Sequence, residues 1–162
     1  KLSGGVGVFN ESLFNGFKEL GDEVTLISCS KSPSLVNVVA GKGNEKVFSN
    51  RSKIAKELKR IQPDLVISSL KYSLGISKYK RACKTAKFVH ILHGFPCPIN
   101  GKLYTKVVNG STKYFRKKFD YLVSVSPLTY AINKKIGCIT TDKVIYMNDM
   151  FNYCAKFRKL IA

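Results

Sequence analysis

Apolar residues recur every three or four positions along the first part of the chain, at Val6, Phe9, Leu13, Phe17 and Leu20. That spacing predicts an amphipathic helix over residues 6–20, and Gly21 stands where a C-cap glycine belongs. The pattern then changes. Val24, Leu26 and Ile27 form a short apolar run that predicts a strand within residues 22–28. Residues 29–34 are polar and predict a loop, the β-branched residues 36–40 predict a strand, and 41–46 contain glycine and predict a turn before a short extended piece at Val47 and Phe48. Helical spacing returns at Ile54, Leu58 and Ile61, within residues 52–61, and Pro63 stops it. Residues 64–69 predict a buried strand, 74–84 a helix, and 87–92 a strand ending at His93-Gly94. Pro96, Pro98 and Gly101 make 95–102 a loop; 104–119 predicts a basic helix and 121–125 a strand. Ser126 then suits an N-cap and Pro127 the first helical position, with the helix running to about residue 136 and capped by Gly137. Residues 143–146 predict the last strand.

Short apolar strands alternating with helices predict an α/β fold, a Rossmann-like and mostly parallel sheet with helices on both faces. Residues 1–150 are expected to form this domain, and 151–162 a C-terminal helical tail or the start of an interdomain linker. Ligands of such sheets sit beyond the carboxyl ends of the strands, which singles out residues 69–72, 93–95, 124–127 and 148–149. The opening Ser3-Gly4-Gly5-Val6-Gly7-Val8 adds small residues at a helix start, where free backbone N–H groups and the helix dipole attract anions. A glycine loop that opens a helix ordinarily follows a strand, so a first, central strand is expected upstream of Lys1.

The charge is extreme: 28 Lys and Arg against 10 Asp and Glu leave +18 over 162 residues. This charge suits an anionic partner, whether nucleic acid, an anionic membrane face or phosphorylated substrates, or lysine enrichment with no partner behind it. Arginine, the better bidentate phosphate reader, appears only as Arg51, Arg60, Arg81, Arg116 and Arg158. Five widely spaced cysteines without a C-x-x-C pair argue against a disulfide framework and a zinc site, and fit reduced thiols in the cytosol. No apolar run reaches the roughly 20 residues a spanning helix needs, and Asn10, Glu11 and Asn15 interrupt the apolar start too early for a signal peptide.

Taken in order, several segments carry a family resemblance: Gly4-Gly5-Val6-Gly7, Gly21-Asp22-Glu23-Val24-Thr25-Leu26-Ile27, Gln62-Pro63-Asp64-Leu65-Val66-Ile67-Ser68, Val89-His90-Ile91-Leu92-His93-Gly94-Phe95, Asp120-Tyr121-Leu122-Val123-Ser124-Val125-Ser126 and Lys143-Val144-Ile145-Tyr146-Met147-Asn148. Together they resemble the N-terminal, acceptor-side domain of GT-B glycosyltransferases of the family 4 kind. The resemblance implies one half of a GT-B fold. It implies that Gly4, Gly5, Val6 and Gly7 lie against the diphosphate of a nucleotide-sugar and that His93 stands beside the acceptor hydroxyl. The family usually closes this domain with Pro-Asn-Gly-Val-Asp, whereas Met147 and Asp149 stand here in place of the proline and the glycine. The family's paired glutamates and ribose-binding carboxylate belong to a second, donor-binding domain, and the ten acidic residues here do not form that pattern.

With the resemblance, His93 is the candidate catalytic group; the residues alone leave a merely structural histidine open. It follows a strand and precedes Gly94, and imidazole can accept a hydroxyl proton near neutral pH. His90, inside the strand, is expected to be a core residue. Ser69, Lys71, Tyr72, Gly94 and Phe95 are candidates for acceptor binding, and Ser124, Ser126 and Asn148 for the crevice edge. Ser126 is best taken as an N-cap, since a nucleophilic serine needs a sharper elbow and a nearby base. Tyr114, Phe115, Arg116, Lys117 and Lys118 interleave aromatics with cations, which suits a membrane contact, single-strand stacking or a plain amphipathic helix. No metal is expected: there is no Asp-x-Asp, and helix N-termini can offset the charge of a leaving diphosphate.

The expected function is glycosyl transfer from a nucleotide-sugar, a co-substrate with no cofactor expected, to a saccharide or lipid-linked acceptor, jointly with a C-terminal donor-binding domain. The chain alone is expected to be inactive. A cytoplasmic protein, peripheral on the inner membrane face through an anionic lipid surface and without a nucleic-acid partner, fits this picture. The alternative is a non-catalytic basic α/β module that binds nucleic acid or an anionic membrane surface.

Overall fold

A computed structural model describes residues 5–29, 32–40, 45–48, 53–69, 75–94, 114, 116–135, 150–159 and 161. Helix α1 (Gly5–Glu19) leads into strand β1 (Val24–Cys29), followed by β2 (Ser32–Ala40), β3 (Glu45–Phe48), α2 (Ile54–Ile61), β4 (Leu65–Ser69), α3 (Ile76–Ala82), β5 (Lys87–Leu92), β6 (Tyr121–Ser124), α4 (Pro127–Lys135) and α5 (Met150–Arg158). The expected loop over 95–102, most of the expected basic helix over 104–119, the cap at Gly137 and the expected strand at 143–146 lie outside the described residues.

Local chemistry sets the helix ends. Gly21 takes a left-handed φ of 82°, and the turn closes with Asp22 N–H donating to Phe17 O at 3.0 Å and Gly21 N–H to Lys18 O at 2.9 Å, the paired bonds of a Schellman cap. At α2 the left-handed position is Gln62, at φ 49°. Pro63 follows it and prevents continuation. Gln62 tolerates the position because its side chain ties down two carbonyls, Lys59 O at 2.7 Å and Ala82 O at 3.2 Å.

The six strands form one sheet in the order β3-β1-β2-β4-β5-β6. Five run the same way; β2 alone is antiparallel to both of its neighbours, β1 and β4. The sheet is mostly parallel, as expected, but of the expected loop over 29–34, Cys29 belongs to β1 and residues 32–34 to β2. The reason is geometric. Only residues 30 and 31 separate β1 from β2, and a link that short permits a hairpin, never the crossover a parallel pair requires.

Period-2 alternation divides the strands between two cores. On one face Val24, Leu26, Leu65, Ile67, Val89, Ile91 and Val123 meet Phe9, Leu13, Phe14 and Phe17 of α1 and Tyr153, Cys154 and Phe157 of α5. On the other, Ile27, Val66, Phe88 and Leu122 meet Ile54, Leu58 and Ile61 of α2, Ile76 and Tyr79 of α3, and Phe119. Helices therefore cover both faces. Helix α5 is bound into the first core: the Phe17 and Phe157 rings stack with centroids 6.3 Å apart, the Cys154 thiol reaches Leu13 O at 3.7 Å, and Arg158 Nε lies 3.3 Å from Asp22 Oδ1.

Candidate active site at the carboxyl edge of the sheet

Helix α1 enters β1 through a short turn, so its amino end returns to the edge where the parallel strands finish. Three polar side chains meet there. Ser69 is the last residue of β4, His93 follows β5, and Asn10 lies in the second turn of α1. The Ser69 hydroxyl donates to Asn10 Oδ1 at 3.2 Å, and His93 Nε2 is 3.1 Å from Ser69 Oγ. Asn10 Nδ2 donates to Val6 O at 2.8 Å. The Phe9 ring meets the His93 ring edge-on, at 4.9 Å and 83°.

The direction of these bonds fixes a proton. The Val6 carbonyl can only accept, so the Asn10 amide nitrogen faces it and the amide oxygen faces Ser69. Ser69 has one hydroxyl proton and gives it to that oxygen. Its Oγ can then only accept from His93, which places the imidazole proton on Nε2 and leaves Nδ1 unprotonated. Burial of the ring lowers the His93 pKa from 6.5 to about 4, because a desolvated imidazolium is disfavoured. The ring is therefore neutral at pH 7.

The glycines sit beside this group. Gly5 opens α1 exposed, and a Cβ built on it would meet nothing within 4 Å. Val6 is half-buried and Gly7 buried. The first turn of α1 carries no acidic residue, which leaves its positive end uncompensated.

A second polar network holds the other side of the His93–Gly94 turn. Asn133 Nδ2 of α4 donates to Gly94 O at 3.0 Å and to Thr129 O at 2.7 Å. Its Oδ1 accepts from Arg116 Nη1 at 2.7 Å. His90 lies in this layer, 3 % exposed, with Nδ1 3.1 Å from Ser68 O and its ring 5.0 Å from that of Phe119. Desolvation, and secondarily the nearby Arg116 charge, lower its pKa to about 3. Both features make His90 a neutral core group.

The expected site residues are thus distributed unevenly. Ser69 and His93 come together, with Val6 linked to them through Asn10. Gly94 is exposed and held through its carbonyl. Ser126 caps α4, accepting from Thr129 N–H at 3.1 Å. Ser124 is fully buried at the end of β6, and its hydroxyl meets no hydrogen-bond partner among the described residues. Gly4, Lys71, Tyr72, Phe95, Phe115 and Asn148 lie outside the described residues. Arg116 requires correction as a membrane contact: it is 8 % exposed and turned inward to Asn133. Lys118 bonds Ser77 Oγ at 2.8 Å and lies over the Tyr114 ring at 4.3 Å, whereas Tyr114 and Lys117 are exposed. Asn10 and Asn133 escaped the sequence reading. Asn10 carried a signal, being polar at the helical spacing of the buried Leu13, Phe14 and Phe17.

No helix among the described residues is long and apolar enough to cross a membrane. Comparison with curated proteins and with solved structures gave no match. The family comparison did: the model described as Glycosyltransferase Family 4 matches residues 3–145. That span takes in α1, the whole sheet and the His93–Ser69–Asn10 chain, and the protein is a member of Glycosyltransferase Family 4.

Proposed function

We propose that this chain is the acceptor-side domain of a glycosyltransferase that moves a sugar from a nucleotide-sugar to an acceptor hydroxyl, working with a donor-binding domain. The observation that carries the proposal is the hydrogen-bonded line from α1 through Asn10 and Ser69 to a neutral His93. It ties a neutral imidazole to α1, the helix whose first turn we read as the diphosphate site.

In this mechanism the donor diphosphate lies against residues 4–7, where backbone N–H groups and the helix dipole stabilise it. The acceptor hydroxyl donates to His93 Nδ1. Its oxygen forms the new bond to the anomeric carbon as the bond from that carbon to the diphosphate oxygen breaks. The electron pair leaves with the diphosphate, and the hydroxyl proton passes to Nδ1. Negative charge growing on the diphosphate favours the imidazolium as it forms, which offsets the low basicity that burial imposes. Ser69 and Asn10 hold the ring and its tautomer throughout. Gly94, with Phe95, Lys71 and Tyr72, would border the acceptor; Ser69, expected there from the sequence, is 0 % exposed with its hydroxyl engaged by Asn10 and His93, and acts through the ring instead.

The test is sugar transfer by the full-length protein, with and without His93→Ala. Loss of a positioned acid–base group costs about 10²–10⁴-fold in rate. Near-normal turnover of the variant would remove His93 from the chemistry.

A further inference from the structure

The two helical layers of this domain carry very different charge. On the α1–α5 side, Glu11, Glu19, Asp22 and Glu23 balance Lys18, Lys156, Arg158 and Lys159. The α2–α3 side has no such balance. Ile54, Leu58 and Ile61 turn α2 toward the sheet, so helical geometry turns Lys56, Lys59 and Arg60 away from it. Ile76 and Tyr79 do the same for α3, turning Lys78 and Arg81 outward. Lys53, Lys84 and Lys87 are exposed at the ends of these elements. The acidic residues nearby are already engaged or peripheral: Glu57 pairs with Arg60 at 3.1 Å, Asp120 with Lys80 at 2.8 Å, and Asp64 sits at the amino edge beside Lys87.

We propose that the outer face of α2 and α3 is a docking surface for an anionic lipid bilayer. This inference stands apart from the catalytic assignment, since it concerns a different surface. The face is formed by two adjacent helices lying on a sheet rather than by a groove, and its charges are mostly lysines. Compact, hydrated ammonium groups suit a diffuse layer of anionic headgroups, whereas nucleic-acid phosphates are better read by the guanidinium fork. Residues 53–61 and 75–87 expose no aromatic ring on which a nucleic-acid base could stack. The large exposed apolar side chains Val8, Tyr114, Leu128 and Ile161 belong to neither helix, so the contact is electrostatic and reversible, without insertion. The interaction therefore moves from residues 114–118, where the sequence suggested it, to α2 and α3. Helix α3 starts on the side where β4 ends and runs back to the start of β5, so Lys78 lies toward the carboxyl edge of the sheet and Lys84 and Lys87 toward the amino edge. A bilayer held there would lie alongside the proposed acceptor site.

The experiment is co-sedimentation of the 162-residue chain with vesicles of phosphatidylcholine alone or mixed with phosphatidylglycerol, at low and high salt. Each charge at an anionic surface is worth about a fivefold change in affinity. Lys56→Glu, Lys59→Glu and Lys78→Glu combined are expected to lower binding to the anionic vesicles by at least about a hundredfold. The charge-matched variant Lys18→Glu, Lys156→Glu and Lys159→Glu is expected to change it by less than about fivefold. Matching thermal unfolding of the two variants verifies their fold. Equal losses would show that only net charge matters and would overturn the face assignment. Binding to neutral vesicles as strong as to anionic ones would overturn it as well. Tighter binding to a mixed-sequence oligonucleotide at equal phosphate concentration would reassign the face to nucleic acid.

Discussion

His93 Nε2 lies 3.1 Å from the hydroxyl of Ser69, which itself donates to Asn10. The ends of two parallel strands and the first helix are joined through one hydroxyl. Ser69→Ala would remove the acceptor for Nε2–H and leave the Asn10 amide oxygen without its donor. We expect the nitrogen shifts of the His93 ring, read by NMR, to move from the Nε2–H tautomer toward a mixture, with a stability loss of about 1–3 kcal/mol. In the full-length protein kcat should fall more than KM rises. An unchanged tautomer would disprove the proton order derived from Asn10.

His90 and His93 are three residues apart and should respond differently to truncation. His93→Ala should lower turnover by about 10²–10⁴-fold with a modest effect on unfolding. His90→Ala opens a hole between Phe119 and β4, and should cost about 1–3 kcal/mol in denaturant unfolding. Activity measured at a temperature where both variants are folded separates the two effects.

Acid should destabilise this domain over a defined window. Both histidines titrate near 6.5 in the unfolded chain, but near 4 and near 3 in the folded one. As pH falls below about 6.5 the unfolded chain takes up protons first, so stability declines. The His93 contribution ends near pH 4 and that of His90 near pH 3. Above 6.5 both are neutral in both states and give no slope. Denaturation midpoints between pH 7.5 and 4 should show this decline, with a shallower slope in His93→Gln. An identical slope in that variant would exclude His93 as a source.

Asn133→Ala should be more costly than its place on a helix suggests. Its amide serves Gly94 O, Thr129 O and the Arg116 guanidinium at once. Removal weakens the hold on a buried charge, for which about 3 kcal/mol is a reasonable expectation. Calorimetry should show a lowered Tm, and the Gly94 amide should exchange faster.

Phe157→Ala tests whether α5 belongs to the fold. The ring is 1 % exposed and stacked on Phe17, so truncation should cost about 3–5 kcal/mol. A tail merely trailing from the domain would show almost no change.

Helix α1 was legible from its apolar spacing and from Gly21, because both signals act over a few residues. The position of His93 was legible for the same reason: the apolar run 88–92 ends in a polar pair. Asn10, Arg116 and Asn133 were obscure because their partners are 17 to 59 residues away. A buried polar side chain looks like a surface one until the fold supplies its partner. The orientation of β2 was hidden too, since β-branched composition marks a strand and says nothing of its direction.

The antiparallel β2 gives the sheet a seam. Among the described residues the β3–β1 pair is hydrogen-bonded to the β4–β5–β6 trio only through β2, whose ladder with β4 spans Val38↔Ile67, Val39↔Val66 and Ala40↔Leu65. Helix α1 lies over that seam: its apolar side shares one core with Val24 and Leu26 on one flank and Leu65 and Ile67 on the other. An anion that bound at the head of α1 would thereby be coupled to cohesion of the whole sheet. Amides of β2 and β4 should exchange more slowly with deuterium once the head of α1 is occupied, although no ligand atom touches them.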